Sequence, residues 1–116
     1  MISALLALLS TAHPTPEPVM SHHLLVHLDI ADADAYARYR QEMAPILERH
    51  HGHFVLDVKG GQFVHSPAPF PADRVLLLAF PDASAATAFF GDDAYVAVRS
   101  TWFEPAVAQT HAVVLP

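Results

Sequence analysis

Residues 75–80 read VLLLAF, six apolar positions in a row with no polar residue alternating between them. A strand with one wet face alternates apolar and polar, so an unbroken run of this length predicts a strand buried on both faces. Pro81 withdraws the backbone donor needed to continue it, and Asp82 presents a carboxylate to the free N–H groups of a following turn. Ala85, Ala86, Phe89 and Phe90 then supply a helical stripe over residues 84–90. The consequence is a strand feeding directly into a helix that packs on the same sheet.

Similar units lie on either side. Leu24–Ile30 alternates, with Leu24, Val26, Leu28 and Ile30 on one face and Leu25, His27 and Asp29 on the other. Asp32 or Asp34 caps a helix whose inward stripe is Tyr36, Tyr39, Met43, Ile46, Leu47 and His50. Pro45 lies inside it, where a bend or a restart is expected, and Gly52 stops it. His53–Val58 predicts a second strand with Phe54, Leu56 and Val58 on one side and His53, Val55 and Asp57 on the other. Gly60 and Gly61 turn the chain, Gln62–His65 predicts a short strand pairing back, and the three prolines of SPAPFP forbid regular structure over 66–71. After the second helix, Asp92 and Asp93 cap a short helix carrying Tyr95, Val96, Arg99, Trp102 and Phe103, ended by Pro105. Val107–Leu115 is the last strand. This order predicts an α+β, ferredoxin-like sandwich: a four-stranded antiparallel sheet with helices on one face. The other face also carries large apolar side chains, so a second copy of the chain is the expected cover, in a homodimer.

At 116 residues there is room for one domain, and 53% hydrophobic content with 16% charge places the chain among soluble globular proteins. Residues 1–21 differ in composition. An apolar ISALLALLSTA is followed by a proline-punctuated HPTPEPV, read as a disordered or processed tail before a domain over 22–116. The expected location is cytoplasmic, with export as the alternative if residues 1–12 act as a signal. A formal charge of -6 repels phosphate backbones and anionic lipid surfaces, so neither nucleic acid nor membrane is an expected partner. Zero cysteines exclude disulfides, thiolate nucleophiles and Cys-rich zinc sites.

The run from Leu24 to Gly61, then RVLLLAFPDASAATAFF and DDAYVAVR, resembles a bacterial family classified only as a domain of unknown function. The resemblance rests on Asp32, Tyr36 and Tyr39 at the helix start, Gly52, the Lys59-Gly60-Gly61 turn, Phe80-Pro81 and Tyr95, and covers roughly Leu24 to Leu115. It implies a dimeric α/β barrel, the architecture of antibiotic-biosynthesis-type monooxygenases and muconolactone isomerases, and no particular reaction. It also implies Arg where Lys59 stands and Glu where Ala79 stands, so a charged pair able to hold a polar ligand is reduced here.

Among residues that carry chemistry, His27 and Asp29 share a strand face about 6 to 7 Å apart, and a neutral imidazole beside a carboxylate suits proton abstraction. His111 on the last strand is placed to approach them. Tyr36, Tyr39 and Trp102 each join an apolar body to a polar tip and are expected to line a cavity, with Arg99 anchoring a carboxylate or enolate or else pairing with Asp92 or Asp93. His50, His51 and His53 form an H-H-x-H cluster whose side chains diverge across a helix end, so a structural role is favoured over metal binding. His22 and His23 fall at a frayed domain start. Nothing resembles a phosphate-binding loop or dinucleotide fingerprint, and no cofactor is expected. The leading expectation is a homodimer holding a small apolar or aromatic molecule between helices and sheet. The alternatives are a cofactor-independent monooxygenase or isomerase using His27 or His111 as base with Arg99 or a tyrosine steadying the anion, and a metal-responsive or structural module.

Overall fold

Four strands and two principal helices account for most of residues 19–116, the part of the chain that the computed structural model describes. The expected tail lies outside the described residues except for its last three positions. Of these, Ser21 is tied down, its amide and hydroxyl both donating to the Pro81 carbonyl at 3.3 and 2.6 Å. The strands are β1 (His22–Ile30), β2 (His53–Lys59), β3 (Arg74–Phe80) and β4 (Val107–Val114). They form one antiparallel sheet in the order β2-β3-β1-β4. His22 and His23, expected to fray, pair with Phe80 and Ala79.

Helix α1 (Ala33–Arg49) begins where Asp32 accepts from the Ala35 amide, and it runs through Pro45 without restarting. Helix α2 (Ala83–Gly91) is capped in the same way by Asp82, and α3 (Asp93–Val98) by Asp92. A π-helical turn over Arg99–Phe103 then leads into the single turn α4 (Glu104–Ala106). Pro105 sits inside that last turn rather than ending the helix. A proline ring crowds the carbonyl four residues back, and widening the preceding turn relieves this clash.

The apolar stripe of α1 covers Leu28, Leu76, Leu78 and Phe80, and Phe80 packs against Phe89 with ring centroids 5.7 Å apart. The doubly buried character of β3 holds, since only Arg74 and Leu77 in it keep appreciable exposure. Gly52 permits a close approach in this layer. A Cβ at that position would lie 2.8 Å from the Phe80 ring and closer still to the Leu47 side chain.

Two further expectations are corrected. Gln62–His65 is not a strand: the chain between Gly60 and Asp73 is an irregular loop, closed by the Gly60 amide donating to the Asp73 carbonyl at 2.8 Å. Its Phe63 packs on His27, ring centroids 5.8 Å apart, instead of pairing with β2. In β2, the register against β3 shifts between Phe54 and Leu56, so Val55 is an extra residue. Such a bulge exchanges the faces of everything after it. Leu56 and Val58 therefore share the helix-free face with Leu77 and Val75, and Asp57 turns to the helix side opposite Leu76.

Candidate functional site

Between α1 and the sheet lies a cavity of about 200 Å³. Its walls are Leu24, Val26 and Leu28 of β1, Leu76 and Leu78 of β3, Phe54, Met43, Phe90 and Phe103, and β4 contributes Thr110 and Ala112. Polar groups enter from the helices. Tyr36, Tyr39, Tyr95, Arg40 and Arg99 all reach the lining. The Tyr39 and Tyr95 hydroxyls bond each other at 2.9 Å, and burial first of all raises the pKa of both, so neither serves as a base near neutral pH.

The expected cavity residues divide. Tyr36, Tyr39 and Arg99 line this chamber, as read from the sequence. Trp102 does not. It is part-buried against the edge of the core, with the Arg38 guanidinium 5.2 Å from its ring, beside a shallow depression formed with Asp32, Asp34 and Gln41. Arg99 lies 4.0 Å from Glu104, while Asp92, one of the two aspartates named as an alternative partner for it, is taken by His50 at 2.8 Å and Arg49 at 3.4 Å.

His27, Asp29 and His111 lie on the other side of the sheet. They alternate with the cavity-lining Val26, Leu28, Thr110 and Ala112, and the strand register sets His27 directly opposite His111, ring centroids 6.3 Å apart. The approach of His111 to His27 is as expected, whereas a single chamber holding these histidines with Arg99 is not what the chain builds. His27 is buried with its Nδ1 unbonded, and its pKa is held below the ordinary value by burial and then by His111. Asp29 accepts instead from Gln109 at 3.3 Å.

Of the histidine cluster, His50 is bonded to Asp92, and His51 and His53 flank a surface depression with Glu48 and Met20. Among the described residues no three His, Cys, Asp or Glu side chains are arranged to hold a metal ion. No described helix is long and apolar enough to cross a membrane.

Residues 21–114 match the family described as Domain of unknown function (DUF1330). The chain belongs to that family. No curated protein matches this DUF1330 chain in sequence. Among solved structures it is similar to the RPA0582 protein of unknown function from Rhodopseudomonas palustris, at 18% identity and a TM-score of 0.72, covering 94% of this chain and 90% of that one. It is also similar to a DABB family protein with a ferredoxin-like fold from Mesorhizobium loti, at 19% identity and 0.60, covering 82% and 94%. SnoaB, a cofactor-independent oxygenase from Streptomyces nogalater, matches at 9% identity and 0.56, covering 84% and 93%. At such identities the likeness establishes the ferredoxin-like fold.

The DUF1330 domain has a second constellation that sequence reasoning missed. Asp57 bridges two arginines, accepting from Arg40 at 2.8 Å through one oxygen and from Arg74 at 2.9 Å through the other. Partial burial works against its charge, but the bonds from Arg74 and Arg40 outweigh this and hold the carboxyl below its ordinary pKa. The Arg40 guanidinium lies 3.9 Å over the Phe54 ring, and Arg74 lies 5.2 Å from the Tyr36 ring. These residues are separated by 17 positions on either side of Asp57, and the strand pattern without the bulge sends Asp57 to the opposite face. The two positions of the charged pair implied by the resemblance, 59 and 79, do not adjoin in the fold. Lys59 pairs with Arg74 at one end of β3, while Ala79 pairs with His53 at the other end and on the opposite face.

Proposed function

We propose that this DUF1330 domain is a binding protein for a small apolar or aromatic molecule held between its helices and its sheet. The observation that supports it is the cavity itself. It has about 200 Å³ of space with aliphatic and aromatic walls, and apolar cavities of about 150 Å³ admit a benzene ring. A single ring with short substituents is the size that fits. Catalysis of the kind named for SnoaB has only the fold likeness behind it, and here the histidines expected as bases lie across the sheet from Arg99. The metal-responsive reading is weakened by the bond between His50 and Asp92.

The domain is further proposed to work as a homodimer joined through the helix-free face. Leu56 and Val58 are 48% and 40% exposed there, beside Leu25, Leu77 and Val113, and contiguous apolar surface of this kind marks association sites.

Ligand binding is tested by titrating the protein with toluene, followed by the thermal midpoint and by amide chemical shifts. Binding raises the midpoint by mass action and moves the shifts of residues around Val26, Leu76 and Leu78. Val26→Phe, which fills the chamber, abolishes both effects. A wild-type protein that shows neither effect at saturating toluene rules out the reading.

A further inference from the structure

Against the outer side of the Tyr36 and Arg40 side chains lies a second recess, a cleft of about 470 Å³ walled by Arg40, Arg74, Lys59 and Asp73. We propose that this cleft is a carboxylate subsite, and that the molecule read above as filling the inner cavity is an acid whose carboxylate sits here. The inference rests on that reading for its apolar half.

Three cations face the cleft region in a chain whose formal charge is -6. Asp57 and Asp73 offset two of them and leave about one positive charge, which matches a monoanion better than a phosphate dianion. Donors remain after the internal bonds are made. Arg74 spends only its Nε on Asp57 among the described residues, leaving both terminal nitrogens, and Lys59 has no bonded acceptor among them. A guanidinium offers five N–H groups in a planar fork suited to a carboxylate. The forks are already oriented, Arg40 by Phe54 and Asp57 and Arg74 by Tyr36 and Asp57, so little ordering remains to be done on binding. Asp73 bonds none of them among the described residues, and its Oδ1 accepts from the Ile30 amide at 3.0 Å.

Arg40 joins the two recesses. It lines both, and its stacking partner Phe54 is a wall of the inner cavity. An aryl alkanoate with its ring between the apolar walls and its carboxylate in the basic cleft would have to pass between Tyr36 and Arg40, the two side chains that line both.

The test compares toluene, 3-phenylpropionate and the neutral 3-phenylpropanamide by calorimetry and amide shifts on the intact chain. The acid is expected to bind about tenfold tighter than the amide, as charge-assisted hydrogen bonds allow. That preference falls to near parity in Lys59→Gln and in Arg74→Gln, while toluene binds all three proteins alike. Lys59→Gln disturbs no internal bond, so a folded variant is secured even if Arg74→Gln loosens the sheet edge. Equal binding of acid and amide overturns the subsite and leaves the cavity reading intact. A preference that survives both substitutions overturns it as well. If toluene fails to bind while the acid still exceeds the amide in a cleft-dependent way, the cavity reading falls and the joint ligand with it.

Discussion

The hydroxyls of Tyr39 on α1 and Tyr95 on α3 meet at 2.9 Å, both residues buried and each the other's bonded partner. Removing one strands the other. Tyr39→Phe or Tyr95→Phe alone is expected to cost about 1 to 3 kcal/mol, and the double variant less than the sum of the two. Urea unfolding of the four proteins measures the difference, and strict additivity excludes the coupling.

Gly52 lies under the Leu47 side chain and the Phe80 ring, both buried. Gly52→Ala forces them apart, and overpacking of this sort costs about 1 to 3 kcal/mol. A variant that unfolds at the wild-type urea midpoint contradicts the packing described.

Asp92 is held down to a pKa of about 2 by the hydrogen bond from His50 and then by the Ala94 amide, against 3.8 for an ordinary aspartate. A carboxyl whose folded pKa is depressed contributes stability that is full above the unfolded value and disappears as pH falls through the folded one. Between about pH 4 and pH 2 the wild type should therefore lose stability faster than Asp92→Asn, which keeps a capping oxygen but not the charge. Parallel acid limbs in denaturant titrations refute this.

For His27 the sign is reversed. Its folded pKa lies below 6.5, the unfolded value, so the unfolded chain takes up a proton first and stability falls as pH drops below about 6.5. The effect saturates once pH passes the lower, folded pKa. His27→Leu removes this part of the pH dependence while leaving that of the other histidines, as thermal midpoints at pH 7.5 and pH 5.5 would reveal. Identical slopes in the two proteins exclude it.

Val58 is 40% exposed on the helix-free face, opposite Val75. Val58→Glu should leave the chain folded and convert a dimer to a monomer in light scattering coupled to gel filtration. A wild type that runs as a monomer removes the homodimer proposal outright.

How far the site could be read from residues alone depends on how local its causes are. Tyr36 and Tyr39 were legible as cavity residues because helical spacing assigns both to the sheet-facing side of α1. Trp102 failed on the same reasoning because the π turn over Arg99–Phe103 changes the angular step within one turn. Asp57 was misplaced by the single extra residue Val55, whose presence no composition signal announces.

By itself the sequence determined the order of the four sheet strands and two principal helices, the cap at Asp82, the doubly buried β3 and hence the ferredoxin-like layering, since each follows from a few neighbouring residues and from the free energy of hiding apolar surface. The tertiary structure alone decided which side of the sheet each polar group faces. It separates His27 and His111 from Arg99 and gathers Arg40, Asp57 and Arg74 around one cleft. Those outcomes depend on pairing register between distant strands, where a shift of one residue inverts a whole face.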